Sequence, residues 1–421
     1  MKLSLLPLLV LVLAACAPSH LSQVALDGDL PELREAIESA RDDGKLDRKA
    51  VRELAQAVAV REITAASGDE GVARVRDLRA CAAVLDRALS DRADQEDAVA
   101  AAATLALLDA GEADPDDTFE DYIDSPDPNW RAVGARSAVG EDRTQERQHA
   151  FVDGDLRVRR GAFHAALQAP VRADLAGALE AARLDPDPLV RSLGVRLAGK
   201  IGGSSAVRRL RDLWVRAESE TRQVIVDAWA DPNSLEVGGR EQLLWAMETE
   251  KGLPSIVAAV RLSAKGSPHR LQALGRLASA MDVGPVDEQR LAALMAPQEL
   301  DLVEPLRKLA KSEDPHAAVL AAAALARNPK TAEQARTRLR ELATHRRVLI
   351  SRQARAALVV MGDQSLTPKL VAELESGSPE RRRQAAVDLV RVGAFAQAAP
   401  ILADPVARVR TQLACTVLRQ P

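Results

Sequence analysis

The 421-residue chain is poor in aromatic residues: Phe, Trp and Tyr make up 2 % of it, although apolar residues make up 47 %. An interior with so few rings is filled by Ala, Leu and Val, which suits helices packed at short distance and lacks the β-branched and aromatic material that sheets favour. No stretch alternates convincingly with period two, and no strand–helix–strand rhythm appears. Cysteine is scarce as well, with only Cys16, Cys81 and Cys415, too few for the disulfide framework of a small secreted domain. Cys81 in VRDLRACAAVLDRAL and Cys415 in VRTQLACTVL sit within helix-like apolar patterns and stand 334 positions apart. In an elongated fold both then read as small buried hydrophobes, and a bridge between them is not expected. The six histidines include no pair four apart and none near a cysteine, so no metal site is expected. No nucleophile elbow of the G-x-S-x-G kind is present. Catalytic and cofactor-binding residues are therefore assigned to none.

Charge is unevenly distributed along the chain. The formal net charge is −4, yet Ala17 to Trp130 carries 12 basic and 27 acidic residues, whereas Asp301 to Pro421 carries 20 basic and 12 acidic. The molecule is expected to be acidic near its start and basic near its end. HRRVLISRQAR (345–355) and PERRRQAAVDLVR (379–391) concentrate the arginines. They suit either a solvated face or an anion-binding surface for acidic protein, anionic lipid or phosphorylated glycolipid. Nucleic acid is not expected as a partner, since bases would find few rings on which to stack.

The one long apolar run is LSLLPLLVLVL, 11 residues after Met1-Lys2, too short for a spanning helix of about 20 residues. Charge, apolar run and small residues follow in the order of a secretory signal. Leu13-Ala14-Ala15-Cys16 resembles the lipobox of bacterial lipoproteins. The resemblance implies a signal peptide over residues 1–15, cleavage before Cys16, and a diacylglycerol on the Cys16 thiol, with acylation (palmitate or similar) holding the chain on a membrane. Ala17 after the cysteine, rather than Asp, implies by the family's sorting rule an outer-membrane address in a Gram-negative cell, facing the periplasm or the surface. Residues 16–28 read as the lipidated cysteine and a short linker, and residues 29–123 as an acidic helical region.

From about Asp124 a unit recurs. DPNWRAVGARSA (127–138) and DPLVRSLGVRLA (187–198) match at Asp, Pro, Arg, Gly, Arg and Ala, and looser copies continue to DPVARVRTQLA (404–414). Asp caps a helix, Pro suits its first position, and Val190, Leu193, Leu197 and Ile201 form a buried stripe ended by Gly202-Gly203. Gly134 and Gly194 stand where a bulkier side chain would hold neighbouring helices apart. The marker arginines Arg131, Arg159, Arg191, Arg222, Arg352, Arg383 and Arg410 would form a ladder with Asp from an adjacent turn. These features resemble the short HEAT-like repeats also named after phycocyanobilin lyases. The resemblance implies an all-α solenoid of antiparallel helix pairs over 124–421, degenerate around 231–343, with a concave face for a protein partner. Armadillo or TPR repeats are the alternative, although no 34-residue TPR pattern appears.

Two other motifs are weaker. GVRLAGKI (194–201) approaches a phosphate-binding loop, but Ile201 replaces the required hydroxyl and no strand precedes Gly194. ADPDDTFEDYIDSPDPN (113–129) is acidic, but lacks the glycine and glutamate of a calcium loop. The expected function is an envelope-anchored, non-catalytic scaffold or adaptor. An enzyme framed by the solenoid, lyase-like, and a holdase-type envelope assembly factor are the alternatives.

Overall fold

The computed structural model describes residues 20–420; Cys16 and the apolar run before it lie outside the described residues. Every described element is helical and no strand occurs among the described residues, so the chain is all-α. The repeated Asp-Pro starts act as their chemistry demands. Asp127, Asp187 and Asp314 accept the backbone N–H of Asn129 at 2.8 Å, Val190 at 3.0 Å and Ala317 at 3.1 Å, with Pro128, Pro188 and Pro315 opening the helices. Residues His20–Asp27 form a helix with Ala25 buried, where an extended linker was expected.

The chain divides into two compact units, one made of residues 114–361 and the other of the segments before and after it. This division sends the last 60 residues back to the first helices.

Within residues 114–361, helices pack in sequence order. Pro128–Ser137 meets Leu156–Gln168, which meets Pro188–Ile201, then Ser219–Trp229, Leu253–Leu262, Val286–Met295, Pro315–Ala326 and Val348–Val360. The stretch 231–343, degenerate in sequence, continues the same row. A β-carbon on Gly194 would lie 2.4 Å from the carbonyl oxygen of Ala178, and one on Gly134 would lie 2.3 Å from the Ile123 nitrogen. Backbone cannot yield as a side-chain tip does, so both positions require glycine for the helices to approach.

The second unit is held by contacts between the two ends of the chain. The last helix, Ala407–Arg419, packs on Arg48–Thr64 and Gly68–Leu78, and Cys415 on it is bonded to Cys81, with Cα atoms 5.5 Å apart. The expectation of two unpaired cysteines is thus corrected. Their separation along the chain did not measure their separation in space, because the terminal segments fold together. Arg410 reaches Glu62 at 2.6 Å, and Gln412 donates to Asp77 at 2.8 Å. The last 60 residues and most of the acidic start are therefore partners in one unit, whereas the arginines of 345–355 belong to the other. Val75, Leu78, Ala82, Leu85 and Leu89, whose 3-4-3-4 spacing would place them on one helical stripe, are all buried. They do not share one helix: a 3-10 segment, Arg79–Val84, breaks it, with Cys81 at φ −122°, where the last helix crosses.

Replacing Cys81 or Cys415 by Ala is expected to lower unfolding stability by about 2–5 kcal/mol, the range for a native disulfide closing a long loop. Denaturant titration measures the loss. Alkylation of the denatured, unreduced chain should leave both thiols unmodified.

Candidate functional site

Four arginines, Arg131, Arg159, Arg382 and Arg410, each join a carbonyl of their own loop to a carboxylate of another segment. Arg131 donates through Nη1 to the carbonyl of Ser125 at 2.9 Å, in its own loop, and through Nε to Asp153 of the next loop at 2.8 Å. Arg159 repeats both bonds, to the carbonyl of Asp153 and to the carboxylate of Asp185, each at 2.9 Å. The aspartate is shared three ways: Asp185 also accepts the Asp187 N–H at 2.8 Å, and its carbonyl takes Nη1 of Arg191 at 2.9 Å. The spacing is constant, an arginine reaching back six residues to its loop carbonyl, so the helix start and the inter-repeat contact are set by one side chain.

The unit containing the chain ends has the same rungs. Arg382 bonds Asp404 at 2.6 Å and the carbonyl of Ser376 at 2.8 Å. Arg410 bonds the Asp404 carbonyl and finds its acidic partner in Glu62, 348 residues away in sequence. Of the marker arginines, Arg131, Arg159 and Arg410 thus make complete rungs, and Arg191 holds its own loop alone. Arg222 stands 3.5 Å from Glu250. Arg383 pairs with Glu380 on its own helix, and it is the preceding residue, Arg382, four residues after Ser378 as Arg131 is after Asp127, that makes the rung. Arg352 is exposed and outside the ladder, where Ser351 instead bonds the carbonyl of Ala343 at 2.7 Å.

The rungs tune the acids they hold. Burial works to raise the Asp153 carboxyl, but the hydrogen bond and charge of Arg131 hold it below the usual range. The side chain of Arg157, with its backbone N–H, lowers Asp155 to about 2. Asp174 goes the other way: it is fully buried with Arg147, and loss of hydration outweighs that partner and raises its carboxyl.

Beside the Arg159–Asp185 rung lies a cavity of about 480 Å³, between the helices Thr144–Phe151 and Leu175–Leu184. Phe151 and Gly177 line it, and the exposed side chains of Val152 and Leu184 stand at it. A β-carbon on Gly177 would come within 2.9 Å of the Phe151 ring, so this glycine lets the ring lie against the helix. Among the charged side chains lining the cavity, Asp153, Arg159 and Asp185 are already engaged in rungs, and Glu180 is exposed. The volume lies within the usual range for ligand sites, and the lining suits an apolar side chain rather than acid–base chemistry.

A second cluster was missed by sequence reasoning. Trp214 stacks on Trp229 with ring centroids 5.1 Å apart and meets Trp245 edge-on at 5.6 Å, while the Arg211 guanidinium lies 3.1 Å from the Trp245 centroid. Glu250 accepts the Trp214 indole N–H at 3.2 Å. The available signal was that three of the four tryptophans fall between positions 214 and 245. Next to it the segment Leu235–Gly239 is a π-helical turn, with Gly238 at φ 115°. The Trp229 carbonyl would come within 2.2 Å of a β-carbon on Gly239.

The weaker motifs are absorbed by structure. Gly194 to Ile201 lies within the helix Pro188–Ile201 and forms no phosphate loop. In the acidic stretch, Asp114 and Asp127 cap helices and Asp116 pairs with Arg143 at 2.6 Å. No group of three or more His, Cys, Asp or Glu placed to hold a metal occurs among the described residues. No protein-family model matches the chain, and no curated protein is similar to it at a significant level.

Arg159→Ala is expected to destabilise the protein by about 3–5 kcal/mol, because it strands the buried carboxylate of Asp185. Arg352→Ala should leave the thermal midpoint unchanged, and thermal unfolding followed by circular dichroism separates the two. The pH dependence follows the lowered carboxyls. Protons bind the unfolded chain first, so the stability that Asp155 contributes is complete above about pH 4. It is lost as pH falls through its folded value of about 2. The midpoint should drop across that interval.

Proposed function

We propose that this chain is a lipid-anchored α-solenoid acting as a non-catalytic protein-binding scaffold or adaptor at the bacterial envelope. The observation that carries the binding role is the division of labour at the rungs. Asp153, Arg159 and Asp185 are engaged in linking successive repeats, while the apolar cavity beside them is left open. The orderly packing of each helix on the next supports the solenoid reading, whose curved face would bind the partner. The envelope reading is supported separately. A Cys81–Cys415 bond belongs in an oxidising compartment, which export past the cytosol provides. The lipobox Leu13-Ala14-Ala15-Cys16 supplies the route and the anchor.

Cys16→Ala should release the chain from membranes into the soluble fraction; retention in a carbonate-washed pellet would sink the anchor. A photo-crosslinking residue at Leu184 should capture a discrete partner in cells, and Gly177→Leu should reduce that capture several-fold by filling the cavity. Equal capture from an exposed site on another face, such as Arg196, would count against the cavity.

A further inference from the structure

The segment Ala343 to Gly362 contains no Asp or Glu in 20 residues, although the chain as a whole has more acids than bases. Its arginines differ from the rung arginines. Arg346, Arg347 and Arg352 are exposed, and among the described residues their guanidinium groups make no ion pair. Between them, Val348 is 70 % and Leu349 57 % exposed, at the start of the helix Val348–Val360. The nearest acid before the segment, Glu341, is already paired with Arg338 at 2.7 Å. Five consecutive or near-consecutive side chains thus present two apolar tips ringed by three uncompensated cations. Neither Val348 nor Leu349 lines the cavity described above; both lie open to solvent.

We propose that Arg346, Arg347 and Arg352, with Val348 and Leu349, form a docking surface for an anionic phospholipid bilayer. A bilayer surface offers the matching chemistry: phosphate oxygens, which accept bidentate bonds from guanidinium groups, lie directly above an acyl layer that takes projecting apolar side chains. A folded acidic partner would need a recess for Val348 and Leu349 as well as an acid for each arginine, whereas lipid conforms to the tips. The surface goes beyond the proposed anchor at Cys16: it would add a second, electrostatic contact with a membrane to which the chain is already tethered, and two weak signals together hold a protein where one does not.

The test uses the chain from Ala17 onward, which lacks both the apolar run and the acyl anchor, so its outcome does not depend on whether the anchor reading is right. Co-sedimentation with vesicles of phosphatidylglycerol and phosphatidylcholine is compared with vesicles of phosphatidylcholine alone at about 0.1 M salt. Binding to the anionic vesicles only is expected, falling roughly a hundredfold with Arg346→Ala, Arg347→Ala and Arg352→Ala together, since each arginine near such a surface is worth about 1 kcal/mol. Val348→Ser with Leu349→Ser should weaken it roughly tenfold. A control triple, Arg183→Ala, Arg196→Ala and Arg208→Ala, changes net charge equally at exposed positions in the same unit. No binding to anionic vesicles, equal binding to neutral ones, or an equal loss in the control triple would each overturn the proposal. Circular dichroism verifies that every variant remains folded.

Discussion

The structure depends on one side chain used twice. A rung arginine binds the carbonyl of its own loop and the carboxylate of the next, and the receiving aspartate also fixes the turn into its own helix. A helix start, a loop conformation and an inter-repeat distance are therefore set together. Guanidinium suits this task because its planar fork supplies several donors in fixed directions and keeps its charge when half-buried. Lysine could satisfy one of these acceptors but not both. The small residues between the rungs follow from the same constraint: once the loops are tied at a fixed distance, the helices behind them must approach closely, and Gly134 and Gly194 stand where backbone meets side-chain position.

Where the rung series lapses, other chemistry replaces it. Arg191 finds no acid in the following loop, and the next helices bring together Trp214, Trp229, Trp245 and Arg211. Stacked rings and a guanidinium over an indole face supply area and direction that the small aliphatic residues elsewhere cannot. The π-helical turn at Leu235–Gly239 accompanies this exchange, since packing against the Trp229 carbonyl tolerates only a glycine at 239. The last rung is a different substitution. The carboxylate that Arg410 binds is not from a neighbouring loop but from Glu62, 348 residues away in sequence.

Much of this was legible in the residues. Periodicity and the Asp-Pro starts located the helices, the Gly-Gly stop ended one of them, and the arginine spacing indicated which side chains to watch. The register slipped by one at Arg383 because Ser-Pro-Glu-Arg-Arg-Arg offers three candidates, and only the position six residues beyond a loop carbonyl reaches both acceptors. The cavity was not legible, because its walls are ordinary Ala, Gly, Phe and Leu positions whose joint exposure depends on two helices that are not adjacent in sequence. Nor was the tryptophan cluster, although the bunching of a rare residue was a usable signal.

Local sequence by itself determined the all-helical character, the helix boundaries capped by Asp and Pro, and the buried stripes, because these depend on side chains within a few turns of one another. It also carries the contiguous segment Leu13-Ala14-Ala15-Cys16 on which the proposed anchor rests. Tertiary structure alone decided that Cys81 meets Cys415, that Glu62 completes the rung of Arg410, and that the last 60 residues share one unit with the first helices. Those pairings join residues more than 300 positions apart, and no local pattern records the cost of bringing them together or the contacts that repay it.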